Sequence, residues 1–185
     1  MFDTILDDER IIERAVSVTK HYDEFNDIAN QYFQHGKGDI YDVKKSLYKA
    51  MMTVNILEGL RFYVSFACTF AFGELKLMEG SAKIISLIAR DEATHLNLST
   101  HILKHWAKGD DDPDFKKIAK ELEPEVYELW KSCVDEEKRW ADYLFKDGSM
   151  IGLNSNLLHA YVEFIANKRL KALGLKTIYD RPLNT

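Results

Sequence analysis

The sequence predicts an all-α protein, and three observations predict it. Apolar residues recur at steps of three and four, as in Ile12, Ala15 and Val16 or Ile84 and Ile88. Only three prolines and nine glycines interrupt 185 residues, which leaves room for long helices. No segment alternates apolar and polar residues as a half-buried strand would.

The elements follow in order. Asp7-Asp8-Glu9 places acid at the start of a first helix that runs to about Phe33, and Gly36-Lys37-Gly38-Asp39 is a turn. A second, long helix is expected from about Ile40 to Phe72, followed by a short irregular link over Gly73 to Gly80. A third runs from about Ser81 to Trp106 and stops at Gly109. Asp112-Pro113 opens a fourth, expected to reach Phe145, because a capping side chain precedes proline in the first turn. Asn154-Ser155 opens a fifth that ends near Gly174.

Composition narrows the function. A net charge of −5 without a long Lys/Arg run argues against a general nucleic-acid binder. The cluster Lys168, Arg169, Lys171 reads as a solvated helix end. Cys68 and Cys133 are too few for a disulfide framework; Cys68 reads as a core residue, and a reducing compartment fits. The most apolar stretch, Phe62 to Phe72, is too short to cross a bilayer.

Chemistry enters on the third helix. Ile84, Ile88, Glu92 and His95 follow steps of four, four and three along one face, so an acid interrupts an apolar stripe. An ionised carboxylate there needs a partner, and a metal ion is one. Glu-x-x-His can grip one ion from a single helix face, and two such helices plus two further carboxylates make a two-metal bundle site. Carboxylate oxygen with imidazole suits iron or manganese. Alone the pattern is weak, and a salt-bridged surface Glu beside an unrelated His is the ordinary alternative.

The second helix repeats the motif of an acid within an apolar stripe, at Val54, Glu58, Phe62, Phe66 and Phe70. The alternatives are a Glu58–Arg61 pair or a Glu58 bonded to a neighbouring hydroxyl. Phe62 and Phe66 can wall off such a site, although plain core packing is the default for a Phe stripe. Asp135-Glu136-Glu137 and Glu121-x-Glu123 have no histidine partner and read as solvated faces. Only one Glu-x-x-His occurs in the chain, so a second polypeptide or a second copy must complete a two-metal site.

Long segments carry a resemblance. Asn55 to Phe72 (NILEGLRFYVSFACTFAF) and Met78 to Leu96 (MEGSAKIISLIARDEATHL) closely resemble the second-half ligand helices of the class I ribonucleotide reductase small subunit. Glu136 to Phe145, Gly152-Leu153-Asn154 and Tyr161 to Phe164 match as well, and the segments look like the class Ia form of bacteria and their viruses. The resemblance implies a ferritin-like di-metal-carboxylate bundle, second half only, with residues 1–185 as one domain. It implies Glu58, Glu92 and His95 as the three ligands of the second iron, with manganese as the other candidate metal. Phe62, Phe66 and Ile88 match the hydrophobic pocket near the radical site. Asp91 matches an acid that hydrogen-bonds a ligand histidine of the other half within the electron-transfer network; pairing with Arg90 is its alternative.

The same resemblance implies what lies elsewhere. The family's first half carries an Asp, a Glu-x-x-His and the radical tyrosine, and a tail docks to the large subunit; neither is found in this sequence. Met1 falls at the connection between the halves, so the expectation is a split small subunit of ribonucleoside-diphosphate reductase, inactive alone. Its implied partners are a separate N-terminal half, a dimeric small-subunit assembly and the large subunit, with no nucleic acid or membrane. The implied location is the cytoplasm of a bacterium, or of a virus's bacterial host. A homodimeric di-iron oxidase or ferroxidase, and a non-catalytic remnant serving as a helical interaction module, are the competing readings. A large exposed apolar face is expected in either the split or the remnant case.

Overall fold

The computed structural model describes residues 9–180, so Asp7, Asp8 and the end of the chain at Thr185 lie outside the described residues. Within them the chain is helical, with seven α-helices: α1 (Glu9–His35), α2 (Ile40–Ile56), α3 (Tyr63–Glu74), α4 (Glu79–Lys108), α5 (Pro113–Glu121), α6 (Glu123–Leu144) and α7 (Ser155–Leu173). A lone bridge between Met150 and Leu153 is the only β pairing among the described residues.

The caps explain the boundaries. The Asp39 carboxylate accepts from the Tyr41 amide at 2.9 Å, and Asp112 accepts from the Asp114 amide at the same distance. Asn154 Oδ1 accepts from the Leu157 amide, also at 2.9 Å. Each satisfies an amide that the first helical turn leaves unpaired. Gly109 (φ +79°) and Gly174 (φ +83°) end α4 and α7 in the left-handed region, where a side chain would be strained.

Two expected helices are interrupted. The span expected as one helix from Ile40 to Phe72 contains a π-helical turn, Leu57–Arg61, between α2 and α3. A π turn holds an extra residue, so the stripe of every fourth residue from Val54 to Phe70 is not one continuous line. The helix expected from Asp112 to Phe145 breaks at Leu122. Pro124 is the physical reason, since it has no N–H to bond the carbonyl four residues back and its ring crowds that turn.

The core lies between α2–α3 and the later helices. Tyr48, Met52, Ile56, Leu60 and Val64 pack with Leu103, Ile118, Trp130, Val134, Leu158 and Val162. Full burial of an aliphatic side chain of this kind contributes about 1.5–3 kcal/mol. Trp106 stacks on Phe115 with ring centroids 4.3 Å apart, which fastens α5 to the end of α4. Asn167, wholly buried, donates to the Tyr179 carbonyl and accepts from the amides of Ile178 and Tyr179, so the segment after α7 folds back on that helix.

The run Ile40–Glu74 is long and apolar enough to cross a membrane by length and composition alone. Its polar groups are engaged inside the bundle instead: Asn55 by α4 and Arg61 by α6. It is the central helix of a helical protein.

Other expectations are corrected. Cys68 is half-buried and packs against the edge of the core, while Cys133 is buried within it. Arg169 does not belong to a solvated end, since its Nε donates to the Gly59 carbonyl at 3.2 Å and its Nη2 to the Tyr63 hydroxyl at 2.6 Å. The run 135–137 is not one solvated face: Asp135 is exposed, Glu136 half-buried and Glu137 fully buried. Arg14 of α1 donates to Glu137 at 2.6 Å, and an acid with such a partner can face inward.

Candidate metal centre

Two elements build the site. Glu58 sits on the π turn, and Glu92 and His95 sit one turn apart on α4. One ligand atom from each lies within 4.8 Å of the others. His95 Nδ1 is 3.3 Å from Glu92 Oε2. Glu58 leaves the backbone from a turn that holds an extra residue, a feature often found at functional sites.

Hydrogen bonds that sequence reasoning missed hold Glu58. Ser99, one turn beyond His95, donates to Glu58 Oε2 at 3.2 Å. Asn55, wholly buried one turn before Glu58, donates to the Ser99 hydroxyl at 3.0 Å and to Thr100 at 2.9 Å. The alternative that gave Glu58 a neighbouring hydroxyl is therefore realised, while the alternative that paired it with Arg61 is not. Arg61 turns the other way, to Glu136 at 2.8 Å, to Ser17 at 2.9 Å and to Cys133 Sγ at 3.2 Å. The spacing of Ser99 from His95 and of Asn55 from Glu58 could have found both residues, since each lies about one turn along the chain from a candidate ligand.

The electrostatics leave room for a cation. Burial raises the Glu58 carboxyl above its ordinary value, against the pull of the Ser99 hydroxyl and His95, and Glu92 raises it further. Arg61 is engaged by α6, and among the described residues no lysine or arginine pairs with Glu58 or Glu92. Two carboxylates and one imidazole suit iron or manganese. Metal–ligand bonds near 2.1 Å hold ligand atoms at most about 4 Å apart, so small side-chain rotations close this set around one ion. The residues fit a metal.

The other expected site residues are placed as follows. The Phe62 and Phe66 rings lie against each other with centroids 5.7 Å apart and planes tilted by 31°; Phe66 is buried and Phe62 half-buried. Ile88, one turn before Glu92, is exposed, as are Ile84 and Leu87 on the same helix. Asp91 is exposed, 3.7 Å from Arg90 Nε.

Comparison with known proteins points the same way. The chain matches the family described as "Ribonucleotide reductase, small chain" over residues 1–185. It is 49% identical over 186 residues to the ribonucleoside-diphosphate reductase subunit beta of Haemophilus influenzae, covering 95% of this chain and 50% of that one. The subunit beta of Enterobacteria phage T4 is 37% identical, with 99% of this chain and 53% of the phage protein covered. Among solved structures, the ribonucleotide reductase R2 subunit from Clostridium botulinum superposes with a TM-score of 0.80 at 29% identity, over 99% of this chain and 53% of that chain. The fold is thus that of the ferritin-like helical R2 subunits, and the chain spans about half the length of the curated relatives it matches. With a family match along its whole length, this chain belongs to the ribonucleotide reductase small-chain family.

Proposed function

We propose that this chain supplies half of the di-metal centre of a ribonucleoside-diphosphate reductase small subunit. The observation that carries this reading is the convergence of Glu58, Glu92 and His95 from two elements, in a chain that belongs to this family. Glu58 spans the gap from the π turn, while Glu92 and His95 grip from α4. The ions are iron, with manganese served by the same ligand types. When bound, such a centre would supply, with dioxygen as the oxidant, the one-electron oxidation of a tyrosine of the other half. The assembled enzyme then reduces ribonucleoside diphosphates at its large subunit, in the cytoplasm.

Residues 1–185 act as the second half of the fold, and a separate N-terminal half brings the other Glu-x-x-His. The ligand arithmetic supports this, since the chain has one such motif and the bundle site needs two. The exposed Ile84, Leu87 and Ile88 beside the ligands support it too, as a face that a further helix would cover. Phe62, Phe66 and Ile88 keep water from the reacting centre, and Asp91 hydrogen-bonds a ligand histidine of the other half. The small subunit works as a dimer.

The test is low-temperature electron paramagnetic resonance of this chain alone, and of its mixture with an N-terminal half, iron and dioxygen. A tyrosyl radical in the mixture only is the expected result. A radical in this chain alone, or none in an iron-loaded mixture, overturns the reading.

A further inference from the structure

Away from Glu58, α4 carries a second pair of imidazoles. His101 and His105 are four residues apart, so they project from one face on successive turns. Their ring centroids are 4.2 Å apart, with the planes 43° from each other. Two histidines at this spacing on a helix are a known way to hold one zinc ion from a single face.

The end of the helix adds a third group. The left-handed Gly109 turns the chain back, so that the amides of Gly109 and Asp110 both donate to the His105 carbonyl. That turn brings Asp110 Oδ2 to 3.1 Å from His105 Nδ1. The loop is fastened just beyond, where Asp112 caps α5 and pairs with Lys44 at 2.7 Å. The carboxylate thus stands on the Nδ1 side of the ring and leaves Nε2 as the nitrogen facing away from Asp110. Carboxylate–histidine pairs of this kind orient and strengthen metal-bound imidazoles. His101 makes no hydrogen bond or ion pair among the described residues, so both of its ring nitrogens are open.

We infer that His101 and His105 form a peripheral site for a borderline divalent ion such as zinc(II), nickel(II) or copper(II), with Asp110 orienting His105. Water completes the coordination, because the protein offers two nitrogen ligands. An ion pair at the helix C-terminus accounts for His105 with Asp110, but not for the second ring one turn before it. The site is chemically distinct from the Glu58 centre: nitrogen donors dominate, which favours copper, nickel and zinc over manganese or iron(II). Lys104 and Lys108 are exposed on flexible stems and can move away from the ion.

The inference is independent of the di-metal reading, and the experiment keeps them apart. The full chain carrying Glu92→Ala and His95→Ala is titrated with zinc chloride by calorimetry, with helix content checked by circular dichroism. One zinc ion should still bind in that background. Adding His101→Ala or His105→Ala should weaken it at least about tenfold, and Asp110→Asn by about tenfold. Copper(II) bound there should show nitrogen hyperfine lines in its paramagnetic resonance spectrum, and these should vanish in the His101→Ala, His105→Ala double variant. No zinc binding in the background, or binding indifferent to both histidines, overturns the site. Affinity unchanged in Asp110→Asn overturns the part given to Asp110.

Discussion

Arg61 Nη1 lies 2.8 Å from Glu136 Oε2, so the cation three residues from Glu58 is engaged by α6 and not by Glu58. The same guanidinium bonds Ser17 of α1 and Cys133 of α6, and it is almost wholly buried. One side chain therefore ties two helices, α1 and α6, to the π turn that carries Glu58. Burial works to raise the Glu136 carboxyl, but Arg61 and the Ser17 hydroxyl outweigh it and hold it below the ordinary carboxylate range.

Removing that tie should be costly. Arg61→Ala leaves the half-buried Glu136 carboxylate with hydroxyl donors but no cation, and the buried Cys133 thiol without its donor, and should destabilise the chain by about 3 kcal/mol in urea unfolding. Arg61→Lys should recover little of this, because one ammonium cannot reproduce the forked contacts. Full recovery by lysine would contradict the account.

Glu137 gives a pH dependence with a definite sign. Burial pushes its carboxyl up to about 7, against the opposing pull of Arg14. A folded-state value above the unfolded one means that the folded protein holds the proton more tightly. The stability this contributes is present below about 4.5 and is lost as pH rises through about 7. Glu137→Gln has no proton to lose, so the wild type's stability relative to it should fall by about 2 kcal/mol between pH 5 and pH 8. Paired denaturation curves at the two pH values check this, and a difference that grows with pH would contradict it.

Much of the fold could be read from punctuation. Asp39, Asp112-Pro113 and Asn154 mark helix starts, and Gly109 and Gly174 mark ends, because each has a local physical reason to sit there. The break at Leu122 was written in Pro124, which a reading of the apolar pattern alone runs past. The π turn was not legible, since one inserted residue in a helix leaves no local mark; it depends on how Glu58 and Arg61 are held from opposite sides. The three residues that converge, Glu58, Glu92 and His95, were legible because acids interrupted apolar stripes. Glu137 was not, because the partner that lets it go inside, Arg14, is 123 residues away in sequence.

Ser99 should matter to metal binding without touching the metal. Its hydroxyl orients Glu58, and removing such a partner from a ligand typically costs 10–100-fold in affinity. Ser99→Ala should therefore weaken iron or manganese binding by about tenfold, measured by competition with a chelator, with the helix content unchanged. An unchanged affinity would show that Glu58 is positioned by the π turn alone.

Gly73 tests the approach of α3 to α4. A Cβ added there would stand 2.8 Å from the Cβ of Ala82, which has no rotamer to move into. Gly73→Ala should destabilise by about 1–2 kcal/mol, despite alanine's better helix propensity. Gly59 differs, because its nearest obstacle is Leu96 Cδ1, the end of a side chain that can rotate. Gly59→Ala should be close to neutral, and equal urea midpoints for the two variants would contradict this contrast.

The central claim is that Glu58, Glu92 and His95 hold metal, and iron content tests it most directly. The chain is assembled with an N-terminal half carrying the complementary ligands, loaded anaerobically with iron(II), desalted and analysed for iron, beside the same assembly with Glu92→Ala and His95→Ala. The account predicts about two irons per assembled pair for the wild type and one or fewer for the variant. Equal iron in both would mean that these residues are not the ligands.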